Sequence, residues 1–338
     1  MKKFLLSQNT NNYKANLHCH STVSDGQLTP EEIKVLYKGM GYSVVAFTDH
    51  NVMIPHPELA DDEFLALNGY EFDFTEGRGM KDYNDMYTCH ICLIATDPDE
   101  LRQVCWNKDK YIYNNALNYR SQVKFFGSDD FIRNYSVECI NDVVKQAREH
   151  GFFVTYNHPT WSVEDYEQYS KYENFNAMEI CNYGCVVTGY DEYNPRVYDD
   201  MLRSGKRLYC IGADDNHNWD KKALYSGGAW IMIRASKLEY KTITNALLKG
   251  DFYASQGPEI KDLWIEDGKI HITTSAAQRV YLTTANRRAD IRIDETGEGL
   301  THSIFDADKN GVYFRLTVVD KEGKYANTNA YFYDELDI

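Results

Sequence analysis

Nowhere in the 338 residues is there an apolar run long enough to cross a bilayer. The opening Met1-Lys2-Lys3-Phe4-Leu5-Leu6-Ser7-Gln8 carries two lysines, but its apolar stretch is too short for a signal peptide, and the expected location is the cytoplasm. Internal repeats and low-complexity tracts are missing too. Basic charge is scarce: 36 Lys and Arg stand against 51 Asp and Glu, a formal net charge of −15, which disfavours a long nucleic acid wrapped on the surface and a membrane partner alike. Small anionic molecules stay open as substrates. The eight cysteines lack a pairing pattern. Cys89 and Cys92 form a CxxC, but in a strand residues three apart face opposite sides; Cys181, Cys185 and Cys210 lie in or beside apolar runs. Buried free thiols fit better than disulfides or a sulfur-bound metal.

What the chain does have is histidine at strand ends. Ala15 to Cys19 reads as a strand that places His18 and His20 on one face and Cys19 on the other, with Asp25 following in a glycine-bearing turn. Neutral imidazole and carboxylate are both good ligands for first-row divalent metals. The pattern recurs. Thr48-Asp49-His50 closes Val44 to Phe47, Glu71 follows Phe64 to Gly69, and Asn157-His158-Pro159 closes Phe152 to Thr155. Asp214-Asp215-Asn216-His217 closes the run from Leu208, and His90 lies inside the strand-like run Thr88 to Ala95. Six of ten histidines at or near strand ends is not a random placement.

Between the strands the spacing predicts helices. Thr29-Pro30-Glu31-Glu32 is a capping box with proline at the first helical position, and Ile33, Leu36, Tyr37 and Met40 recur at helical spacing up to Gly39 or Gly41. A second helix starts at Ser136 and stops at Gly151; a third runs from Pro195 to Ser204. The stretch from Asp97 to Tyr135 is mixed polar and aromatic, read as helical arcs with a lid. The tyrosines of Trp161 to Tyr198 read as rings covering an exposed helix pair and loop, with stacking on a base or sugar ring as the alternative. Seven strands alternating with helices and ending in polar ligands are the layout of an α/β barrel, whose active site lies on that face. After Ser255-Gln256-Gly257-Pro258 the composition shifts to short alternating runs: Ile260 to Ile265, Lys269 to Thr274, Val280 to Thr284, Ala289 to Ile293, Gly311 to Val319 and Thr328 to Tyr333. They predict a small antiparallel β-sandwich over 258–338, behind a first domain of 1–257. His271 and His302 look isolated there.

Taken together, His18-x-His20 with Asp25, Thr48-Asp49-His50, Asn157-His158-Pro159 and Asp215-x-His217 resemble the four signature segments of the PHP family, the polymerase and histidinol phosphatase superfamily of metal-dependent phosphoesterases. The resemblance runs from His18 to about Gly257, and the end of the chain looks like the C-terminal β-module of some PHP hydrolases. It implies a distorted seven-stranded (β/α) barrel and two or three divalent cations, with Mn, Zn or Fe as candidates. It also implies their ligands: His18, His20, Glu71 and Asp215 around one ion; Glu71, His90 and His158 around a second, with Glu71 bridging; Asp25, His50 and His217 around a third. The implied activity is a metal-dependent hydrolase, a phosphoesterase acting on a small phosphorylated metabolite or nucleotide fragment by means of a metal-bridged hydroxide. A carboxylic or carbamate ester hydrolase with the same metals is the alternative, and a non-catalytic metal-stabilised binding module a further one. Beyond the ligands no catalytic side chain is assigned. Asp49 is a candidate to orient His50, and Asp214 is either a partner of the ligands or, if the turn is shifted, a ligand itself. Arg78, Arg120, Lys124 and Arg196 are candidates for phosphate binding because their segments feed the same face.

Overall fold

The computed structural model describes residues 2–336 apart from 78, 79, 81 and 309. Strands β1 (Lys2–Phe4) and β2 (Asn11–Asn16) precede helix α1 (Pro30–Gly39); β3 (Val44–Phe47), β4 (Leu65–Thr75) and β5 (Thr88–Ala95) follow. A short parallel ladder of β6 (Arg102–Gln103) and β7 (Lys124–Phe125) comes before α2 (Val137–Glu149) and β8 (Phe152–Tyr156). Next are α3 (Tyr166–Tyr169), β9 (Ala177–Asn182), α4 (Tyr183–Val187), α5 (Pro195–Arg203), β10 (Tyr209–Ala213), β11 (Trp230–Ala235), α6 (Tyr240–Lys249) and β12 (Phe252–Ser255). Then come β13 (Ile260–Glu266), β14 (Lys269–Ala277), β15 (Arg279–Thr284), β16 (Ala289–Ile293), β17 (Leu300–Asp306), β18 (Tyr313–Val319), β19 (Tyr325–Thr328) and β20 (Tyr331–Phe332). No described helix is long and apolar enough to cross a membrane.

Local chemistry sets the helix ends. Both halves of the α1 capping box form: Glu32 N–H donates to Thr29 Oγ1 at 3.2 Å and Thr29 N–H to Glu32 Oε2 at 2.9 Å. Ser136 Oγ accepts from Cys139 N–H at the start of α2. The apolar faces of α2, α5 and α6 pack with the strands into one core that includes Ile140, Val144, Met201 and Leu247. Tyr169, Tyr172 and Tyr198 belong to that core, whereas Tyr166 and Tyr190 are exposed, so the expected surface tyrosine cover holds for part of the set only. The helical arcs expected between Asp97 and Tyr135 are short 3-10 turns around the β6–β7 ladder, held by a small cluster of Trp106, Ala116, Val123, Val23 and Val52.

The fold is mixed α/β. One sheet of 14 strands runs in the order β10-β9-β8-β5-β4-β3-β2-β11-β12-β19-β18-β15-β16, with β20 on β18. Strands β2, β3 and β4 are parallel, as are β8, β9 and β10, but β5 is antiparallel to both its neighbours, β4 and β8. Strand β10, one end of this order, approaches β11 at Gly212, where an added Cβ would stand 3.0 Å from the Trp230 carbonyl oxygen, and among the described residues the two form no ladder. The C-terminal strands depart from a free-standing sandwich. Only β1-β13-β14-β17 form a separate antiparallel sheet, because β19 pairs with the open edge of β12 and carries β18, β15 and β16 into the large sheet. A second core, with Leu263, Ile272, Phe314 and Leu316, lies between these layers. Strand β17 went unpredicted because Thr301, His302 and Ser303 hide its alternation. Strand β1 joins the far sheet through Phe4 opposite Trp264, a pairing with no local signal.

Candidate metal centre

Most of the expected ligands are placed just beyond the end of a strand, Glu71 and His90 lie within strands, and Asp25 lies in a loop. Strand β2 stops at Asn16, and the chain then bends so that His18 Nε2 and His20 Nε2 lie 3.1 Å apart, while Cys19 turns into a separate apolar cluster with Ile33 and Phe47. Gly26 lets the loop bearing Asp25 fold back: a Cβ there would sit 2.5 Å from the His20 carbonyl oxygen. His50 follows β3 and bridges to Glu71, which lies inside the long β4. His90 sits near the start of β5, and because β5 is antiparallel its start meets the ends of the other strands. His158 follows β8 with φ 26° and Asp215 follows β10 with φ 48°, two left-handed non-glycine residues at the point of convergence.

All nine expected ligands therefore meet. Glu71 is the hub, 2.9 Å from His90 Nδ1, 3.0 Å from His50 Nδ1, 3.2 Å from His18 Nε2 and His158 Nε2, and 3.3 Å from His20 Nε2. Asp215 Oδ1 is 3.1 Å from His20 Nε2 and 3.3 Å from His18 Nε2. Asp25 stands 3.5 Å from His217 Nε2 and 3.7 Å from His50 Nε2. Two donors about 2.1 Å from one ion, at angles between octahedral and tetrahedral, stand roughly 3.0–3.4 Å apart, so most of these spacings match shared coordination. Two buried atoms give the sharper test: His20 Nδ1 and Asp215 Oδ1 make no hydrogen bond within the described structure. Buried polar atoms that pair with nothing fit a cation beside each of them: His20 Nδ1 lies on the Asp25 side of the ring at 3.7 Å, and Asp215 Oδ1 on the Nε2 side at 3.1 Å. The residues present thus suit divalent metal ions.

The geometry groups the donors differently from the resemblance. His20 joins Asp25, His50 and His217; His18, His158 and Asp215 form a set; His50 sits with Glu71 and His90. The physical reason is that His20 and His50 lie side by side, ring centres 4.4 Å apart, so either can serve two groups. Cys92 Sγ approaches His18 and Glu71 from beneath, although burial pushes its thiol pKa up. Burial opposes protonation of His18 and His20, yet the carboxylates around them, Asp215 foremost, hold both well above the ordinary imidazole value. Reciprocally, and against burial, the imidazoles hold Glu71 and Asp215 well below the usual carboxylate range.

Other expectations are relocated. Asp49 turns from His50 to the preceding loop, accepting from Ser21 N–H and Oγ at 2.8 Å and from Ser24 Oγ at 2.8 Å, and so it braces the loop that carries Asp25. Asp214 faces away from the cluster, accepting from Tyr37 Oη at 2.9 Å and from the N–H groups of Gly227, Gly228 and Ala229, and burial pushes its pKa up to about 6. Asp215 is the member of the pair that points inward. Arg196 pairs with Asp200 on the outside of α5, Arg120 reaches the Lys108 carbonyl, and Lys124 is exposed on β7; none of the three lines the cavity over the cluster. Arg78 lies outside the described residues. His271 and His302 prove not to be isolated: their rings stack 5.5 Å apart beside Trp264.

Two features escaped the sequence. Glu179, fully buried in β9, accepts from His18 Nδ1 at 2.7 Å, from His158 N–H at 3.0 Å and from Asn182 Nδ2 at 2.9 Å. Its only signal was a carboxylate inside the apolar run Ala177 to Cys181. The second is the wall of the cavity, of about 490 Å³, where Tyr113, Trp161, Trp219 and Tyr225 surround the cluster.

No family model matches the chain. Among solved structures it is similar over 98% of its length, and 97% of the other chain, to a two-domain Bacteroides vulgatus protein containing a predicted PHP-like metal-dependent phosphoesterase, at 14% identity and TM-score 0.44. It is also similar to a protein from Bifidobacterium adolescentis described as a metal-dependent phosphoesterase (15% identity, 62% of this chain, 89% of that one, TM-score 0.36). An amidohydrolase from Chromobacterium violaceum, with bound sulfate and no metal, is 18% identical over 60% of this chain and 87% of its own, at TM-score 0.35. In sequence, a 5'-3' exoribonuclease of Haemophilus influenzae is 39% identical over 72 residues, 20% of this chain; the match spans only 26% of that relative's length.

Proposed function

We propose that the chain is a PHP-superfamily metal-dependent hydrolase, a phosphoesterase that releases phosphate from a small anionic substrate. The single observation that carries the reading is the meeting of six imidazoles and three carboxylates in one cluster, with His18, His20, His50, His90 and His158 all within 3.3 Å of the buried Glu71, in a cavity open to solvent. Two or three ions would find donors in the groups of Asp25, His20, His50 and His217, of His18, His158 and Asp215, and of His50, Glu71 and His90, with His50 serving one of the two groups it borders. Mn, Zn or Fe would suit this donor set. When bound, such ions supply an activated water and neutralise phosphate charge. The chain's own part is to hold the donors. Glu179 can only accept, so it keeps the His18 proton on Nδ1 and turns the Nε2 lone pair to the cluster. Asp49 ties Ser21 and Ser24 down and so presents Asp25.

In this reading the strand path from β2 to β11 is an opened, distorted (β/α) barrel, residues 258–338 are the accessory module, and the enzyme works in the cytoplasm. Ester or carbamate hydrolysis is the second reading. It is favoured by the absence of Lys and Arg from the cavity lining among the described residues, which suits a less charged substrate.

Phosphate release from a monoester, a diester and a nucleoside bisphosphate, with Mn²⁺-loaded protein and Asp215→Ala as control, tests the proposal. Release that disappears in the variant is the expected result. No release with metal shown to be bound, together with turnover of a carboxylic ester, would replace the first reading by the second.

A further inference from the structure

We infer that the cavity selects substrates whose organic part is a flat, uncharged ring, stacked on Trp219. The inference rests on the phosphoesterase reading for the anionic end of the substrate only. Trp219 is 44% exposed, and its ring lies parallel to that of His217, 5.3 Å away with an interplanar angle of 12°. The stack holds the indole in a fixed direction at the edge of the donor cluster and leaves much of its surface to a ligand. Tyr225 lines the same cavity a few residues on. Across the cluster, Trp161 stands edge-on to His90 and His158, ring centres 5.2 and 4.9 Å away, and Tyr113 lies 5.4 Å from His50. Aromatic faces thus border the site on the His217, His50 and His158 sides.

A second stretch of wall is small. Gly184 and Cys185 come from α4 and Thr188 from its C-terminal cap, and Gly184 is irreplaceable by a larger residue without rearrangement: a Cβ there would sit 2.7 Å from the carbonyl oxygens of both Asp214 and Asp215. Close packing of α4 on the Asp214–Asp215 turn therefore keeps this wall free of bulk and leaves width for a ring. The charge pattern points the same way. Among the described residues no Lys or Arg lines the cavity, so a substrate's anionic group is left to the metal cluster while the rest of the molecule meets aromatic surface. Such surface favours a planar π-system over a saturated ring of equal size.

The test separates this inference from the phosphoesterase reading by using ligands that cannot be hydrolysed. Binding of 2-phenylethylphosphonate, 2-cyclohexylethylphosphonate and ethylphosphonate to Mn²⁺-loaded protein is measured by calorimetry, and phosphate release from the matching phosphate esters is followed in parallel. The phenyl compound is expected to bind about tenfold or more tighter than the other two. That advantage should vanish in Trp219→Ala and persist in Trp219→Phe, with ethylphosphonate affinity unchanged in both. Equal binding of phenyl and cyclohexyl compounds, no binding by any of them, or an advantage that survives Trp219→Ala would overturn the ring inference. Phosphate release decides the other question: ring-selective binding without turnover of any ester would leave the inference standing and remove the phosphoesterase reading.

Discussion

Glu179 Oε1 lies 2.7 Å from Nδ1 of His18, although 161 residues separate them in the chain. The same carboxylate receives the N–H of His158, so one buried group of β9 aligns donors from the ends of β2 and β8. Glu179→Gln keeps the shape but can turn an N–H₂ toward Nδ1. The variant should bind metal about 10–100-fold more weakly, read as metal retained against a graded chelator series. Undiminished retention would mean that Glu179 serves only the fold.

Removal of metal should loosen the protein as well as silence it. With the ions gone, buried donors such as Asp215 Oδ1 face imidazoles with no partner. A ligand at 100 times its dissociation constant adds about 2.7 kcal/mol of stability. Chelated protein should therefore melt lower than protein resupplied with Mn²⁺, Zn²⁺ or Fe²⁺, and regain activity with at least one of them. Identical melting curves, with metal verified absent in one, would count against a metal centre.

Glu164 predicts a pH effect. Burial raises its pKa to about 7, against the pull of hydrogen bonds from Tyr172, Tyr156 and Tyr135. A carboxyl that holds its proton more tightly when folded contributes its full stability below the unfolded pKa, near 4.5. That contribution is lost as pH rises through 7, and the loss is at most about 3 kcal/mol. Glu164→Gln keeps an acceptor for the tyrosines but cannot ionise. Urea unfolding at pH 5 and pH 8 should show the variant gaining on the native protein at the higher pH. A constant difference between the two would show that Glu164 titrates as an ordinary carboxyl.

Asp199 and Arg315 form a buried, two-pronged pair, at 2.9 and 2.8 Å, joining α5 to β18. Loss of one partner leaves a charge without its counter-ion in the interior. Asp199→Ala should cost about 3–5 kcal/mol, measured by denaturant unfolding, while Asp199→Asn should cost less. A loss below about 1 kcal/mol in the alanine variant would place the pair in the class of weak surface bridges.

The chemistry of the site was legible in the sequence because it is written in local spacing. The spacing of His18 and His20 paired them before any fold was known, although the structure ends β2 at Asn16 and joins the two rings by a bend and not by strand alternation. The capping box of α1 needed only four adjacent residues. Asp215 was preferred to Asp214 by its place two residues before His217 in the resemblance; the left-handed backbone at 215 turns its carboxylate into the cluster and leaves Asp214 to Tyr37 and the backbone behind. Residues whose role depends on distant partners stayed hidden. Arg120, Lys124 and Arg196 share segments with the site yet point elsewhere, whereas Glu179 looked like an ordinary residue of a buried strand.

By itself, then, the sequence determined the donor types, their order and the strands that carry them, since each follows from periodicity and side-chain chemistry over a few residues. Tertiary structure alone decided that β5 runs backwards to bring His90 to the common end, that β12 lends its edge to β19, and that Trp219 borders the cluster. Strand direction, edge pairing and the walls of a cavity are settled by contacts between segments far apart in the chain, and no local pattern records them.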